Sequence, residues 1–333
     1  MSNESNVQAM GQQPLLSACL IVKNEEEYLD RCLTSLKGLV DEIVLVDTGS
    51  EDRTVEIAES HGAIIYHEEW QDDFSLHRNQ SLDRANGVWA FVCDADEELF
   101  DTDVGETRWQ LDGNVTEPVV AVHEKLLLPD GTSLTLMAPR IVRRDSGIRY
   151  QFPIHEQLDS AENFQVSGSN INVLHHGYGS FDHLCRKQER NLAIAKTMGD
   201  HPHGLHCQAR ALLSLDRYTE TVEVCRKLAA TKYSEVYTLE ASGVGASAAI
   251  RLGDRQSLRE FIAIGKECAD NSPDVALMEF LEGGYHYLEV LQENGLDDGA
   301  ELTFLRPLVF RHHVPTMNKL LDLFASRKAT VRL

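Results

Sequence analysis

An α/β domain on a mainly parallel sheet, followed by an all-helical segment, is the fold class this sequence predicts. Three observations carry that reading. Short apolar runs alternate with helical periodicities across residues 16–93, the pattern of strands joined by crossover helices. Three of those runs close on polar clusters, at Lys23-Asn24-Glu25-Glu26, Asp47-Thr48-Gly49-Ser50 and Asp94-Ala95-Asp96. From about residue 181 onward only helical periodicity remains.

Residues 16–22 are apolar but for Ser17 and predict a buried strand. Leu29, Cys32, Leu33 and Leu36 then recur at helical spacing. Residues 42–46 are the second strand; Ser50 is the expected N-cap of the next helix, with Glu51 and Asp52 suited to its positive end. That helix carries Val55, Ile57 and Ala58 and stops near Gly62. Residues 63–66 predict a third strand and 74–85 a third helix, ended by Asn86-Gly87. Residues 88–93 predict the strand that delivers Asp94. In a parallel sheet, ligands gather at the carboxyl ends of the strands, where all three polar clusters fall.

The middle of the chain changes character. Residues 119–128 and 133–142 flank Pro129-Asp130-Gly131 and predict a hairpin. Residues 147–152 and 171–174 are further short strands. Among them lie Arg140, Arg143, Arg144, Arg149, His155, Glu156, His175 and His176. Residues 210–230, 239–252, 258–268 and 275–292 carry apolar residues at helical spacing and suggest repeated helix-turn-helix units. Gly243 to Ala248 matches G-x-G-x-x-A but follows no strand; it reads as close helix packing, not as a dinucleotide site. The expected division is a disordered tail over 1–14, an α/β domain over 15–180 and a helical domain over 181–333.

The 333 residues carry a formal net charge of -22, which repels a nucleic-acid backbone. The seven cysteines form no C-x-x-C pair, and the polar start lacks the apolar core of a signal peptide. No run approaches the roughly 20 apolar residues of a membrane span. A cytoplasmic protein with reduced thiols is the expectation.

Asp94 and Asp96 are the sharpest chemical signal. Side chains two apart on extended backbone share a face, so both carboxylates can meet one hard cation or one ligand edge. Left unpaired they would repel, and Glu97 and Glu98 add to the conflict.

Taken in order, Lys23-Asn24-Glu25, Val46-Asp47-Thr48-Gly49-Ser50, Arg78-Asn79 and Asp94-Ala95-Asp96-Glu97 resemble family 2 glycosyltransferases, in the branch with K-N-E, V-D-T-G-S, R-N and D-A-D-E motifs. Ile154-His155-Glu156-Gln157-Leu158, His175-His176-Gly177-Tyr178 and residues 187–192 resemble the same branch. The architecture is similar to that of bacteriocin peptide S-glycosyltransferases, a catalytic domain followed by tetratricopeptide-like helices. The resemblance implies a GT-A fold, a nucleotide-sugar donor (a UDP-sugar above others), Mn2+ or Mg2+, and inversion at the anomeric carbon. It implies Asp96 as metal ligand and Asp94 beside the ribose or the metal's water shell. Lys23, Asn24, Glu25, Asp47, Arg78, Ala95 and both aspartates would form the donor site. This chain has Thr48 where many members carry a second acidic residue that meets the uracil, so the base stays open.

Transfer also needs a base to take the acceptor's proton. Glu156 is the first candidate and His155 the second; a carboxylate there would equally pair with a nearby arginine. His175 is a third metal ligand or a structural histidine of a turn. Arg143, Arg144 and Lys187 are candidate diphosphate cations or solvated charges. His201, His203, His206 and Cys207 have zinc-ligand types without zinc spacing and read as a helix-linking loop. The acceptor is a peptide or protein, or a saccharide, and the helices serve to hold it or to form a homodimer. Two other classes compete. A nucleotidyltransferase that makes nucleotide-sugars would open with a Gly-rich loop, which Lys23 to Glu26 lacks. A helical-repeat binding protein would carry an inactive GT-A domain.

Overall fold

The computed structural model describes residues 13–127, 133–158, 164–176 and 181–268. Most of the expected tail, the 129–131 turn, Gly177-Tyr178 and the 275–292 helix lie outside them. The chain divides into two compact units, Met1–Gly179 and Ser180–Leu333.

The first unit opens as the apolar runs require: β1 (Leu16–Val22), α1 (Leu29–Ser35), β2 (Glu42–Asp47), α2 (Thr54–Ser60), β3 (Ile64–His67), α3 (Phe74–Arg84) and β4 (Trp89–Val92). These four strands lie in the order β3-β2-β1-β4, all parallel. The order reverses at β1/β4, the switch point where such sheets open a crevice. Alternate side chains explain why the runs are almost continuously apolar. Leu16, Ala18, Leu20 and Val22 pack with Leu29, Leu33 and Ala58, while Cys19, Val44, Ala90 and Val92 pack with Leu82 and Ala85. With both faces covered, a polar side chain inside a strand needs a partner, as Ser17 has in Glu42 at 2.5 Å. Gly87 at the entry to β4 admits no side chain, since a Cβ there would sit 2.5 Å from Ser17 Oγ and 2.7 Å from the Trp89 carbonyl oxygen.

The sheet continues through β5 (Glu97–Leu99), β6 (Val119–Leu127), β7 (Ser133–Arg143) and β10 (Val166–His175), in the order β4-β7-β6-β10-β5. It is a mixed sheet, parallel at four of its seven pairings. A small ribbon pairs β8 (Tyr150–Gln151) with β9 (Gln157–Leu158).

Several expectations change. Arg53, not Ser50, is the N-cap of α2, without a side-chain bond; the Ser50 hydroxyl instead accepts the Asn24 N–H at 3.0 Å. The 147–152 strand shrinks to two residues, and β10 extends well ahead of 171, with a register shift between Gly168 and Asn172. Strand β5 and helix α4 (Val104–Leu111) are additions, α4 being capped by the Asp103 side chain and holding the Trp89 indole N–H on the Leu111 carbonyl at 2.9 Å.

The second unit is helical through its described residues: α5 (Phe181–Thr197), α6 (Pro202–Ser214), α7 (Tyr218–Thr231), α8 (Glu235–Leu252) and α9 (Arg255–Cys268). Each packs on the next, and α6 also packs on α8, the layering of stacked helix hairpins. The 210–230 run is broken by a turn at Asp216, whose φ is +58°. His201 caps α6, and His203, His206 and Cys207 are buried within that helix, not in a loop. His206 pairs with Glu240 at 2.7 Å and His203 bonds the Tyr237 hydroxyl at 2.8 Å. A Cβ on Gly245 would lie 2.6 Å from the Phe261 ring, so the glycine-rich stretch is a helix contact, as expected.

Candidate active site

The register brings the three polar clusters to one edge. Val22 lies opposite Asp47, and Cys19 opposite Val92, so Lys23, Thr48 and Asp94 follow at the same end of adjacent strands. Asn24 takes a left-handed backbone, φ +56°. Its side-chain oxygen accepts the Glu51 N–H at 2.7 Å, and the Glu25 N–H donates to Thr54 Oγ1 at 2.7 Å. The K-N-E residues thus stitch the β1 loop to the start of α2, leaving Lys23 exposed on the rim. Asp47 is buried; Oδ1 accepts the Ser50 N–H at 3.0 Å and Oδ2 contacts His67 Nδ1 at 3.1 Å.

Helix α3 supplies the central cation. Asn79 exchanges two hydrogen bonds with the backbone of Tyr150, each 2.9 Å, and so clamps the 150–158 ribbon to the helix. The adjacent Arg78, buried under the Tyr150 ring, then spans two carboxylates. Its Nη2 donates to Asp94 Oδ1 at 2.9 Å and its Nε to Glu156. Its Nη1 is buried with no hydrogen-bond partner among the described residues. Glu156 is therefore paired with an arginine and also sits within the same cluster as Asp94. His155 beside it is exposed on left-handed backbone, φ +49°.

Arg140 on β7 is the second cation. It reaches Asp94 Oδ2 at 3.6 Å, Glu97 Oε1 at 2.9 Å and Glu124 Oε2 at 3.3 Å. Burial alone would raise the Asp94 carboxyl, but Arg78, Arg140 and His175 outweigh it and hold it well below the usual carboxylate range. Glu97 goes the other way: burial pushes it up to about 8, with Arg140 opposing and Asp94 and Glu124 adding. Its Oε2 accepts the Asp94 N–H at 2.8 Å, fixing the turn between β4 and β5.

Strand β10 closes the site. His175 lies opposite Glu97, and the His176 N–H bonds the Asp96 carbonyl oxygen at 2.8 Å. Asp94, Asp96 and the buried His175 each place one ligand atom within 4.8 Å of the others. Ala95 is buried in the core between the two aspartates. Glu97, Glu124 and His175 also meet that distance, but the Arg140 guanidinium already bonds both glutamates. The first group fits a divalent ion. Two guanidiniums face five carboxyl groups (Asp94, Asp96, Glu97, Glu124 and Glu156), and negative charge remains even with Glu97 protonated. Asp94 is engaged by both arginines, whereas Asp96 has the imidazole at 3.8 Å.

Two residues central to this arrangement, Arg140 and Glu97, carry no assignment from sequence. Arg140 had a signal, a lone charge between Pro139 and the buried Ile141. Arg143 and Arg144 are at the wrong end to meet a diphosphate. Because β7 runs antiparallel to β4, Arg143 lies opposite Trp89 at the strand's entry, paired with Asp145. Arg144 bonds the Gly87 carbonyl oxygen. Lys187 is on α5 of the second unit.

A sheet that reverses order beside an acidic, histidine-bearing strand end defines an α/β domain with a ligand crevice at its switch point. Within the first unit, residues 17–108 match the family model for Glycosyl transferase family 2. A TPR repeat-containing protein of Synechococcus elongatus is 36% identical over 56% of this chain and 49% of its own length. The SPbeta prophage-derived glycosyltransferase SunS of Bacillus subtilis is 26% identical over 64% of this chain and 53% of its own. The chain thus spans about half the length of the curated relatives it matches. Among solved structures, S. aureus TarS 1-349 in complex with UDP-GlcNAc is similar at a TM-score of 0.44 and 17% identity, over 76% of this chain and 91% of that one.

Proposed function

We propose that the first unit transfers a sugar, with inversion, from a nucleotide-sugar donor, a UDP-sugar, to an acceptor nucleophile, and that the reaction requires Mn2+ or Mg2+. The convergence of Asp94, Asp96 and His175 at the end of β4, beside Arg78 and Glu156, carries this reading. Asp96 and His175 would hold the ion directly, with Asp94 beside it. A bound divalent ion supplies charge stabilisation for the departing diphosphate.

The chain's own residues do the rest. Asp47 borders the nucleoside, and Lys23, Asn24 and Glu25 form the rim. The unpartnered Arg78 Nη1 supports a donor hydrogen bond to a ligand oxygen, since a buried N–H left unpaired costs about 1–3 kcal/mol. Glu156 accepts the acceptor's proton, with Arg78 orienting it; His155 is the alternative base. The acceptor is a peptide or protein side chain held by the stacked helices, or a saccharide; those helices would otherwise serve a homodimer. No helix among the described residues is long and apolar enough to cross a membrane. The seven free thiols support a reducing compartment, the cytoplasm.

A thermal-shift panel of nucleotide sugars, with and without Mn2+, tests the donor. A ligand at 100 times its Kd should stabilise the fold by about 2.7 kcal/mol. No shift with any donor would count against the reading. Glu156→Gln should keep the donor-induced shift yet lose about 10²–10⁴-fold in transfer, the usual worth of a general base. Transfer at more than half the wild-type rate would remove Glu156 from that role.

A further inference from the structure

We propose that the carboxyl edge of the first unit receives its acceptor as a cationic polypeptide segment, with lysine or arginine within about three residues of the nucleophile. This rests on the glycosyl transfer proposed above and names the acceptor class for that same site.

The negative charge of the chain is unevenly spread. Met1–Gly179 holds 32 of the 53 acidic residues and 12 of the 31 basic ones, so the first unit carries -20 of the formal -22. Strand direction gathers much of that excess at one edge. β1, β2 and β3 run parallel to β4, so the loops that follow them lie at the same edge as Asp94 and Asp96. Those loops read Lys-Asn-Glu-Glu-Glu over 23–27, Glu-Asp-Arg over 51–53 and Glu-Glu-Trp-Gln-Asp-Asp over 68–73. Glu27, Glu51, Glu69 and Asp72 are exposed, and among the described residues none of them pairs with a lysine or arginine. The neighbouring arginines are committed elsewhere. Arg53 bonds Glu56 twice at 3.1 Å, Arg84 pairs with Glu68, and Arg31 lies 3.4 Å from the His176 ring nitrogens. The exposed Lys23 offsets one of these charges.

The inner crevice has the same sign, since Arg78 and Arg140 face a larger number of carboxyl groups. A divalent ion and a donor diphosphate bring nearly equal and opposite charge, so loading the donor leaves that balance in place. The crevice floor points to a ligand independently of the rim. Arg78 is 7% exposed, and its Nη1 has no hydrogen-bond partner among the described residues, an N–H kept for an oxygen. An acceptor entering over the rim therefore crosses a negative field. Like charge is rejected there and opposite charge is drawn in, which sets partner choice more than raw affinity. At physiological salt the field reaches about 8 Å, roughly two to three residues of extended chain. Basic side chains must thus stand close to the nucleophile in sequence. A polypeptide can carry several fixed positive charges around one hydroxyl or thiol. Stacked helix hairpins, as in the second unit, also present surfaces of the kind that bind extended partners.

Calorimetric titration of the full chain, in saturating Mn2+ and about 0.05 M NaCl, tests this with three peptides. They differ only beside a central serine, which carries two lysines, two glutamines or two glutamates on each side. The lysine peptide should bind at least about tenfold tighter than the glutamine peptide, and the glutamate peptide should bind weakest. Raising NaCl to about 0.5 M should remove the difference, because screening then acts well inside the reach of the rim. Glu51→Gln combined with Glu69→Gln should weaken the lysine peptide at least about fourfold at an unchanged melting temperature, as for two exposed charge contacts. Glu59→Gln combined with Asp112→Asn removes the same charge away from that edge, late in α2 and after α4 beside the entry to β4. It should change the affinity by less than about twofold. A lysine peptide that binds no tighter than the glutamine peptide, or equal losses in the two double variants, would overturn this inference alone. So would binding of none of the three by a protein whose melting temperature rises with a nucleotide sugar and Mn2+, which would leave a saccharide as the acceptor. A protein that gives no such rise with any nucleotide sugar would overturn the glycosyl-transfer reading and this inference with it.

Discussion

Asp96→Ala is expected to abolish Mn2+-dependent cleavage of the nucleotide-sugar donor, by about 10²–10³-fold or more, the scale seen when one transition-state stabiliser is removed. The variant should remain folded. Among the described residues Asp96 pairs with no arginine, only with His175 at 3.8 Å, and its side chain is 21% exposed. Removing it therefore strands no buried guanidinium. Asp94→Ala differs, because Arg78 and Arg140 both lean on that carboxylate. The two aspartates of one motif should thus separate in experiment: Asp96→Ala loses Mn2+ binding at an unchanged melting temperature, and Asp94→Ala melts earlier. Calorimetric titration of Mn2+ beside a thermal melt reads both quantities. Donor cleavage by Asp96→Ala within threefold of wild type would remove Asp96 from the metal site.

Arg78→Met should produce the largest loss of stability, about 3–5 kcal/mol, as when one partner of a buried ion pair is removed. The side chain is 8% exposed and bonds Asp94 and Glu156, themselves 28% and 13% exposed. Methionine fills the volume but leaves two carboxylates facing each other without that cation. Arg78→Lys keeps the charge and loses the fork that spans both partners, so it should fall between wild type and methionine. Urea unfolding of the three proteins gives the ranking. A loss below 1 kcal/mol for Arg78→Met would mean that Arg140 alone neutralises the cluster.

The strands that carry the site were legible because both faces of β1, β2 and β4 are covered, which forces continuous apolar runs. Their polar ends followed directly. Strand β5 was not legible: Glu97-Glu98-Leu99 has no strand composition, and it pairs because β10 offers an edge. The early part of β10 reads Ser167-Gly168-Ser169-Asn170, turn-forming residues; it pairs with β6 up to Gly168 and shifts register before Asn172. Sequence alone left Arg143 and Arg144 open between diphosphate cations and solvated charges, because the direction of β7 decides which arginine reaches the carboxylates, and it selects Arg140. The double life of Glu156 was half legible. An arginine partner was an expected alternative, but its identity as Arg78, which also holds Asp94, depends on the Asn79 clamp.

The position of β7 between β4 and β6 has a consequence for synthesis on the ribosome. A nascent chain that has emerged through residue 108, the end of the family-matched segment, already carries Asp94 and Asp96. It does not yet carry Arg140, Glu156 or His175. Until β7 docks, β4 is an open edge and Asp94 lacks one of its two cations. Only when β10 lies down does His175 arrive opposite Glu97. The cluster around Asp94 is thus completed in steps and late, first by Arg140 of β7 and last by His175 of β10.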